Sequence, residues 1–416
     1  MLIQKKYHKK DKIWNLIDKE TNRQKNNLTL IASENYVSYE VLKAQGSILT
    51  NKYAEGYSDK RYYAGCKYID KIEDLAIYRA KKLFQVEYAN VQPHSGSQAN
   101  FAVYNALLNP GDKILGMNLS DGGHLTHGAS INFSGKLYKS FSYKLNENEE
   151  IDYTNLMNLA KKHRPKMIIS GFSSYSGICD WKRMREIANE INAYLVADIS
   201  HISGLIVAGL YPSPINYAHV VTTTTHKTLS GPRGGLILSN VKDKNLYNKL
   251  NKAVFPGSQG GPLMHVIAAK AIAFKEAMNK NFIKYQKQVL KNSQIMVQYF
   301  LRKNFKIISN GTCNHLFVLN LTNHCINGKE AENFLNYSNI IVNKNTIPKD
   351  LKSPFITSGI RIGTPAVTRR GLKEKECEKI ASWIVFLLNN FKDYNKSAEI
   401  KKKVIKMCNS YPIYND

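Results

Sequence analysis

Two hydrophobic periods alternate along this chain, one helical and one of strand type, and the switches between them lay out its elements. Residues 11–25 carry Ile13, Trp14 and Ile17 at helical spacing among charged neighbours, which predicts a lead-in helix. A short apolar run from Leu28 then stops at Ser33, Glu34 and Asn35, as a strand does when it ends at a site or simply at the surface. Residues 71–84 return to the helical period, with Ile72, Leu75, Ala76 and Leu83 on one stripe. Short apolar runs at 113–117, 167–170 and 194–197 end in polar residues, and a helical stretch at 181–192 separates the last two. This is βαβ patterning, with parallel strands. A helix over 283–303, with Val289, Met296, Val297 and Phe300 on one side, marks the passage to a C-terminal domain. There, strands at 305–309, 316–321 and 340–342 alternate with helices at 329–336 and 372–388. The chain is predicted to be α/β: an N-terminal arm (1–25), a large domain with a mostly parallel central sheet (26–280) and a smaller α+β domain (281–416).

The stretches without a period hold the chemistry. From 221 to 235 the chain reads Val-Thr-Thr-Thr-Thr-His-Lys-Thr-Leu-Ser-Gly-Pro-Arg-Gly-Gly, which sets Lys227 between a hydroxyl-rich strand end and a glycine-rich turn. β-Branched residues run into it, His226 adjoins it, and Pro232 and Gly234 forbid a simple helix afterwards. A lysine amine so placed can form a Schiff base with a carbonyl, the use that pyridoxal phosphate makes of one. A P-loop is excluded, because the glycine that motif requires before its Lys-Thr pair is missing. Ser95, Gly96 and Ser97 precede a helical run at 101–108. Two serines thus flank a glycine at a helix N-terminus, where free N–H groups suit a phosphate and where one serine could equally be a plain cap. Ser173, Asp198 and His201 follow strand ends, the edge at which ligands of open α/β sheets gather. A carboxylate there is costly unless paired. The protonated pyridine nitrogen of pyridoxal phosphate would pair with it, and helix capping is the other role open to Asp198. His124 and His127, in Gly-Gly-His-Leu-Thr-His-Gly (122–128), lack the second ligand pair of a metal site, and a planar histidine beside glycines can stack on a flat ring. Arg361, between Ile360 and Ile362 in a strand pattern, is either a bidentate carboxylate clamp or half of a buried salt bridge. Residues 50–66 set Glu55 among Tyr53, Tyr57, Tyr62 and Tyr63, either packing tyrosines or a setting that tunes the glutamate for acid/base work. A second glycine-rich loop, Phe-Pro-Gly-Ser-Gln-Gly-Gly-Pro, spans 255–262.

Composition changes this picture little. In 416 residues, 43% of them apolar, no run approaches the roughly 18 uninterrupted apolar residues of a membrane span. The start, Met-Leu-Ile-Gln-Lys-Lys, carries no signal-peptide core, so a soluble, cytoplasmic protein is expected. Six scattered cysteines form no Cys-x-x-Cys pair, and no metal is expected. The formal net charge of +27 would suggest nucleic acid, but the lysines lie in almost every segment. A drift in amino-acid usage accounts for that as well as a binding face does, and the charge would still steer an acidic small substrate inward.

Together these residues resemble the serine hydroxymethyltransferases, over a match that runs from about residue 11 to the C-terminus without a large insertion. The 221–235 segment, Gln-Pro-His-Ser-Gly-Ser-Gln-Ala-Asn (92–100) and Asn-Lys-Tyr-Ala-Glu-Gly-Tyr (51–57) carry the resemblance. It implies a pyridoxal-phosphate-dependent transferase of fold type I, with the cofactor on Lys227 as a Schiff base and Asp198 paired with the pyridine nitrogen. The implied catalytic set is Lys227, His226, Asp198, Glu55 and Tyr63. His124 would stack on the ring, Ser173 and His201 would contact it, and Ser95, Gly96 and Ser97 would hold the phosphate, with Thr224, His226 and Arg233 beside them. Tyr53 and Gly261 would reach the phosphate from a neighbouring subunit, since family members share sites in dimers or tetramers; a homodimer suits this compact chain. Arg361 would bind the amino-acid carboxylate with Ser33 and Tyr63, while Glu55 handles protons at the hydroxymethyl group and the folate. Tyr62, Leu119, Gly123, Asn345, Ser353, Pro354 and Phe355 would contact tetrahydrofolate, and His124 and Leu125 would also bind substrate. The implied reaction moves the hydroxymethyl carbon of L-serine to tetrahydrofolate, giving glycine and 5,10-methylenetetrahydrofolate. A folate-independent aldolase acting on β-hydroxy amino acids is the rival within the cofactor class, and Asn345 with 353–355 favours the folate enzyme. A basic nucleic-acid-binding protein with a vestigial site is the rival outside it, and intact Lys227, Asp198, Glu55 and Arg361 speak against that. One departure from the family pattern is Asp121, which stands where many relatives have histidine before the paired glycines.

Overall fold

Leu115, Ile168, Leu195, Val221 and Leu236 pack in one apolar cluster, while their chain neighbours Ile114, Ile169, Val196, Val220 and Ile237 pack in another. A period of two with both faces buried requires a sheet covered by helices on each side. The computed structural model describes residues 11–414 and shows that sheet; the reading of the first residues lies outside them. Its strands are β1 (Tyr88–Asn90), β2 (Lys113–Met117), β3 (Lys139–Tyr143), β4 (Met167–Gly171), β5 (Tyr194–Asp198), β6 (Val220–Thr224) and β7 (Gly235–Ser239). Across the sheet the order is β3-β2-β4-β5-β6-β7-β1, parallel except for β7, which runs against both neighbours. The chain steps outward from β2 to β3 and then returns past β2 to β4. Such a reversal opens a crevice at the carboxyl ends, and the register aligns Gly171, Asp198 and Thr222 beside it.

Most helices lie where the period predicts them, with ends shifted by a few residues. The helix expected at 71–84 starts earlier (Lys67–Phe84), and the one expected from 101 runs Gly96–Leu107. The second shift matters, because Ser95 becomes its N-cap, accepting from Gln98 N at 3.1 Å.

The C-terminal part is built on an antiparallel sheet ordered Lys306–Ile307, Leu316–Asn320, Gly359–Gly363, Asn343–Asn345. The helices Gly328–Tyr337, Glu374–Asn389 and Tyr394–Ser410 contribute to its separate core. The long helix Lys280–Arg302 joins the two cores. Phe282 packs in the large one and Met296, Val297 and Phe300 in the C-terminal one. We propose a division at 280/281, with one crossing: Leu28–Thr29 pairs in parallel with Ile340–Ile341, and Leu28 and Leu30 pack in the C-terminal core. No helix among the described residues is long and apolar enough to cross a membrane.

Candidate active site

β6 ends at Thr224, and the chain then folds into a tight loop with a single 3-10 turn, Lys227–Leu229. Thr225 N donates to Gly234 O (3.0 Å), its hydroxyl to Pro232 O (2.7 Å), and Gly231 N to Thr225 O (2.8 Å). At the tip, Lys227 takes φ 58°, a left-handed conformation that costs a side-chain-bearing residue ~1 kcal/mol. Asn35 Nδ2 donates to Lys227 O (2.8 Å) and Gln286 Nε2 to Thr228 O (2.6 Å), so the strain is held from outside the loop. Burial lowers the Lys227 amine to about 8, with the Asp198 charge opposing and the charges of Arg361 and Arg233 assisting.

Asp198, at the end of β5, is the cavity's fixed negative charge. Its Oδ1 accepts from Ser200 N (3.0 Å) and Ser200 Oγ (2.6 Å), its Oδ2 from Asn100 Nδ2 (2.8 Å) and His127 Nε2 (3.1 Å). Burial by itself would push this carboxyl up. The hydrogen bonds from His127 and the Ser200 hydroxyl outweigh that and hold it below the usual carboxylate range. None of the three hydrogen-bonding residues was singled out as an Asp198 partner from the sequence. His127 showed only as a possible metal ligand, and Asn100 and Ser200 lie inside segments read for other residues. His124, His127 and Asp198 do bring ligand-type atoms within 4.8 Å of one another, but four donors already engage both carboxylate oxygens.

Around this pair lies a cavity of about 300 Å³ that gathers Ser33, Ser95, Gly96, Ser97, His124, Ser173, Asp198, His201, Thr224, His226, Lys227, Arg233 and Arg361. Residues from seven separate sequence stretches thus converge on one cavity. The first turn of Gly96–Leu107 aims its free N–H groups at the cavity, and Gly96 must be glycine, since a Cβ would stand 2.8 Å from Thr224 Cγ2. Arg361 forms no ion pair among the described residues. It donates to Asn343 Oδ1 (3.1 Å) and Ser173 O (2.6 Å), and its remaining donors are open to a carboxylate. His201 Nδ1 and His315 Nε2 lie 3.2 Å apart in a neutral pair, burial pushing both rings down. Burial also brings His226 to about 3, and its Nδ1 has no partner in the described structure.

A second cavity of about 580 Å³ adjoins the first, sharing His124 and Ser173 with it. It collects Leu119, Gly123, Leu125, Asn345 and Pro354. Ser353 and Phe355 do not line it, and Phe355 stands 80% exposed. Asp121 is buried beside it with Oδ1 accepting from Leu145 N (3.3 Å), so its carboxylate turns into the fold and away from the lining.

Five expected site residues are not brought to Lys227. Tyr53, Glu55, Tyr62, Tyr63 and Gly261 line neither cavity of their own chain. Tyr53 donates to Glu55 (3.3 Å), meets Tyr63 edge-on at 5.3 Å between ring centres, and covers Gly261, where a Cβ would touch its ring at 3.2 Å. Tyr62 stands 73% exposed.

Capture of an aldehyde by an amine, a fixed charge for a ring nitrogen and a seat for a phosphate are the demands of one cofactor, and the cavity meets all three; the chain is a pyridoxal-phosphate enzyme of fold type I. Within that class its sequence is specific. The family model described as serine hydroxymethyltransferase matches residues 7–384, and the chain belongs to that family. It is 66% identical over 403 residues to the serine hydroxymethyltransferase of Buchnera aphidicola subsp. Acyrthosiphon pisum (strain 5A), covering 97% of each chain. It is 63% identical over 403 residues to that of Wigglesworthia glossinidia brevipalpis, covering 97% of this chain and 96% of the relative.

Proposed function

We propose that this chain reversibly transfers the hydroxymethyl carbon of L-serine to tetrahydrofolate, giving glycine and 5,10-methylenetetrahydrofolate. The observation that carries the reading is Lys227 in one cavity with an Asp198 that four hydrogen bonds keep ionised and an Arg361 without an ion pair among the described residues. When bound, pyridoxal phosphate supplies an electron sink for breaking the bond to the side-chain carbon. The remaining tasks belong to the chain. Asp198 holds its negative charge without reorganisation. Gly96, Ser97 and Arg233 bind the phosphate, and Lys227, lowered to about 8, is neutral often enough to act as a nucleophile. The Arg361 fork grips the amino-acid carboxylate beside Ser33, and the second cavity takes the folate where it can reach the same substrate across His124.

Glu55 and Tyr63 are assigned to proton handling, and we infer that a second copy of the chain delivers them together with Tyr53, Tyr62 and Gly261. Supporting this, the five stand apart from Lys227 in one chain, with several aromatic faces left open. A homodimer in the cytoplasm is the form we propose, and six free cysteines suit a reducing compartment.

The test is to load the purified protein with pyridoxal phosphate, record its visible absorption, and follow glycine release from L-serine with and without tetrahydrofolate. Release is expected only when both serine and tetrahydrofolate are present, and Lys227→Ala should abolish it. Equal cleavage of β-hydroxy amino acids without folate would replace the reading with an aldolase, and a protein that binds no cofactor would end it.

A further inference from the structure

Lys270, on the helix Met264–Ala277, is 1% exposed and has no carboxylate partner among the described ion pairs. Its Nζ donates to three backbone carbonyls, of Val91 (2.6 Å), Pro93 (3.0 Å) and Gly235 (2.8 Å). Three acceptors match the three protons of an ammonium, and a neutral amine would leave one unmatched. Burial pulls the group down to about 7, with the charge of Glu73 opposing. The three carbonyls favour the ammonium form against that burial; a lysine so placed is expensive, and the mechanism above makes no use of it.

The carbonyls it holds belong to the two segments that build the phosphate seat. Residues 91–93 lead from β1 into Ser95, Gly96 and Ser97, and Gly235 closes the loop that carries Lys227 and Arg233. Gly235 N also donates to Pro93 O (2.9 Å), so the two segments meet directly in front of the lysine. Space for this is cut by adjacent glycines: a Cβ on Gly234 would lie 2.4 Å from Lys270 Cε, and one on Gly235 would lie 2.2 Å from Ser95 O. The field of the buried charge reaches forward, where it adds to the burial that keeps His94 and His226 neutral.

We propose that Lys270 is a positioning residue for the cofactor phosphate: from behind the seat it pins 91–93 to Gly235, so that the Gly96–Ser97 turn and Arg233 face one point, and its charge adds to their hold on a dianion. The inference rests on the cofactor reading given above.

Its test uses two ligands that differ only in the phosphate. Apoprotein, wild type and Lys270→Met, is titrated with pyridoxal 5'-phosphate and with pyridoxal, binding being read by absorbance, and the fold is checked by thermal melting. Affinity for the phosphorylated ligand should fall about 10- to 100-fold, the size of a lost charged hydrogen-bond contribution, while affinity for pyridoxal changes less than about threefold. An equal loss for both ligands would reduce Lys270 to a general folding role, and no loss for either would remove it from the seat; each result overturns the proposal. Should Lys270→Met not fold, Lys270→Gln, which keeps amide donors for the carbonyls and drops the charge, is put through the same comparison with the same expected and overturning results. Wild-type protein that binds neither ligand defeats the cofactor reading itself, whereas wild type that prefers the phosphorylated ligand, with variants that keep the preference, defeats this inference alone.

Discussion

Four neutral histidines line or back the cavity, and together they set its response to acid. Burial, aided by nearby cations, brings His124 to about 4 and His226 and His315 to about 3, and takes His201 well below the ordinary value. In the unfolded chain each would take its proton near pH 6.5. Groups whose folded pKa is depressed contribute stability that is complete above the unfolded value and is lost as pH falls toward the folded one. Apoprotein stability should therefore drop as pH falls from about 6.5 toward 4. Urea midpoints measured across that window check this, and a flat midpoint would refute it. At this scale the site was legible where a residue's type clashed with its surroundings: Lys227 after a β-branched run, Arg361 inside a strand, Asp198 at an apolar strand's end. Asn100, Ser200 and His127 gave no such clash. Their roles come from meeting Asp198 through space, at sequence separations of 98, 2 and 71 residues.

Elements were legible where their apolar period was complete. β2, β4, β5 and the helix Lys280–Arg302 follow it. β3 does not, because Lys139, Ser140 and Ser142 face outward on an edge strand, and β7 was hidden by the glycine-rich turn that precedes it. The run at Leu28 read as a strand of the large domain, yet it completes the C-terminal core, a pairing that only distant Ile340 and Ile341 could reveal. That join is fastened by Arg370. Its five donated hydrogen bonds reach the carbonyls of Gln24, Lys25, Asn27, Cys408 and Tyr411, tying the ends of the helices Lys12–Asn26 and Tyr394–Ser410 together. Arg370→Met would leave those acceptors short of donors and should cost about 3 kcal/mol in urea unfolding, with little change in cofactor affinity. An unaltered unfolding midpoint would show that the fastening is not needed.

At the scale of the whole molecule, the proposed homodimer with shared sites would have a distinctive arithmetic. Lys227→Ala and Glu55→Gln chains should each be inactive alone, because each removes one half of every site. Mixed in equal amounts and allowed to exchange subunits, they should recover about a quarter of wild-type activity, since half the dimers would hold one intact site of two in a closed two-fold pair. Absence of any recovery, with exchange verified, would place Glu55 in the same chain's site. The two cavities of each chain have a consequence of a different kind. Because His124 and Ser173 form a party wall between them, an occupant that shifts either residue from one chamber is felt in the other. Whatever advantage an occupant of the chamber proposed for the amino acid gives to the one proposed for folate must be returned in equal measure, a bargain between neighbours that thermodynamics does not let either break.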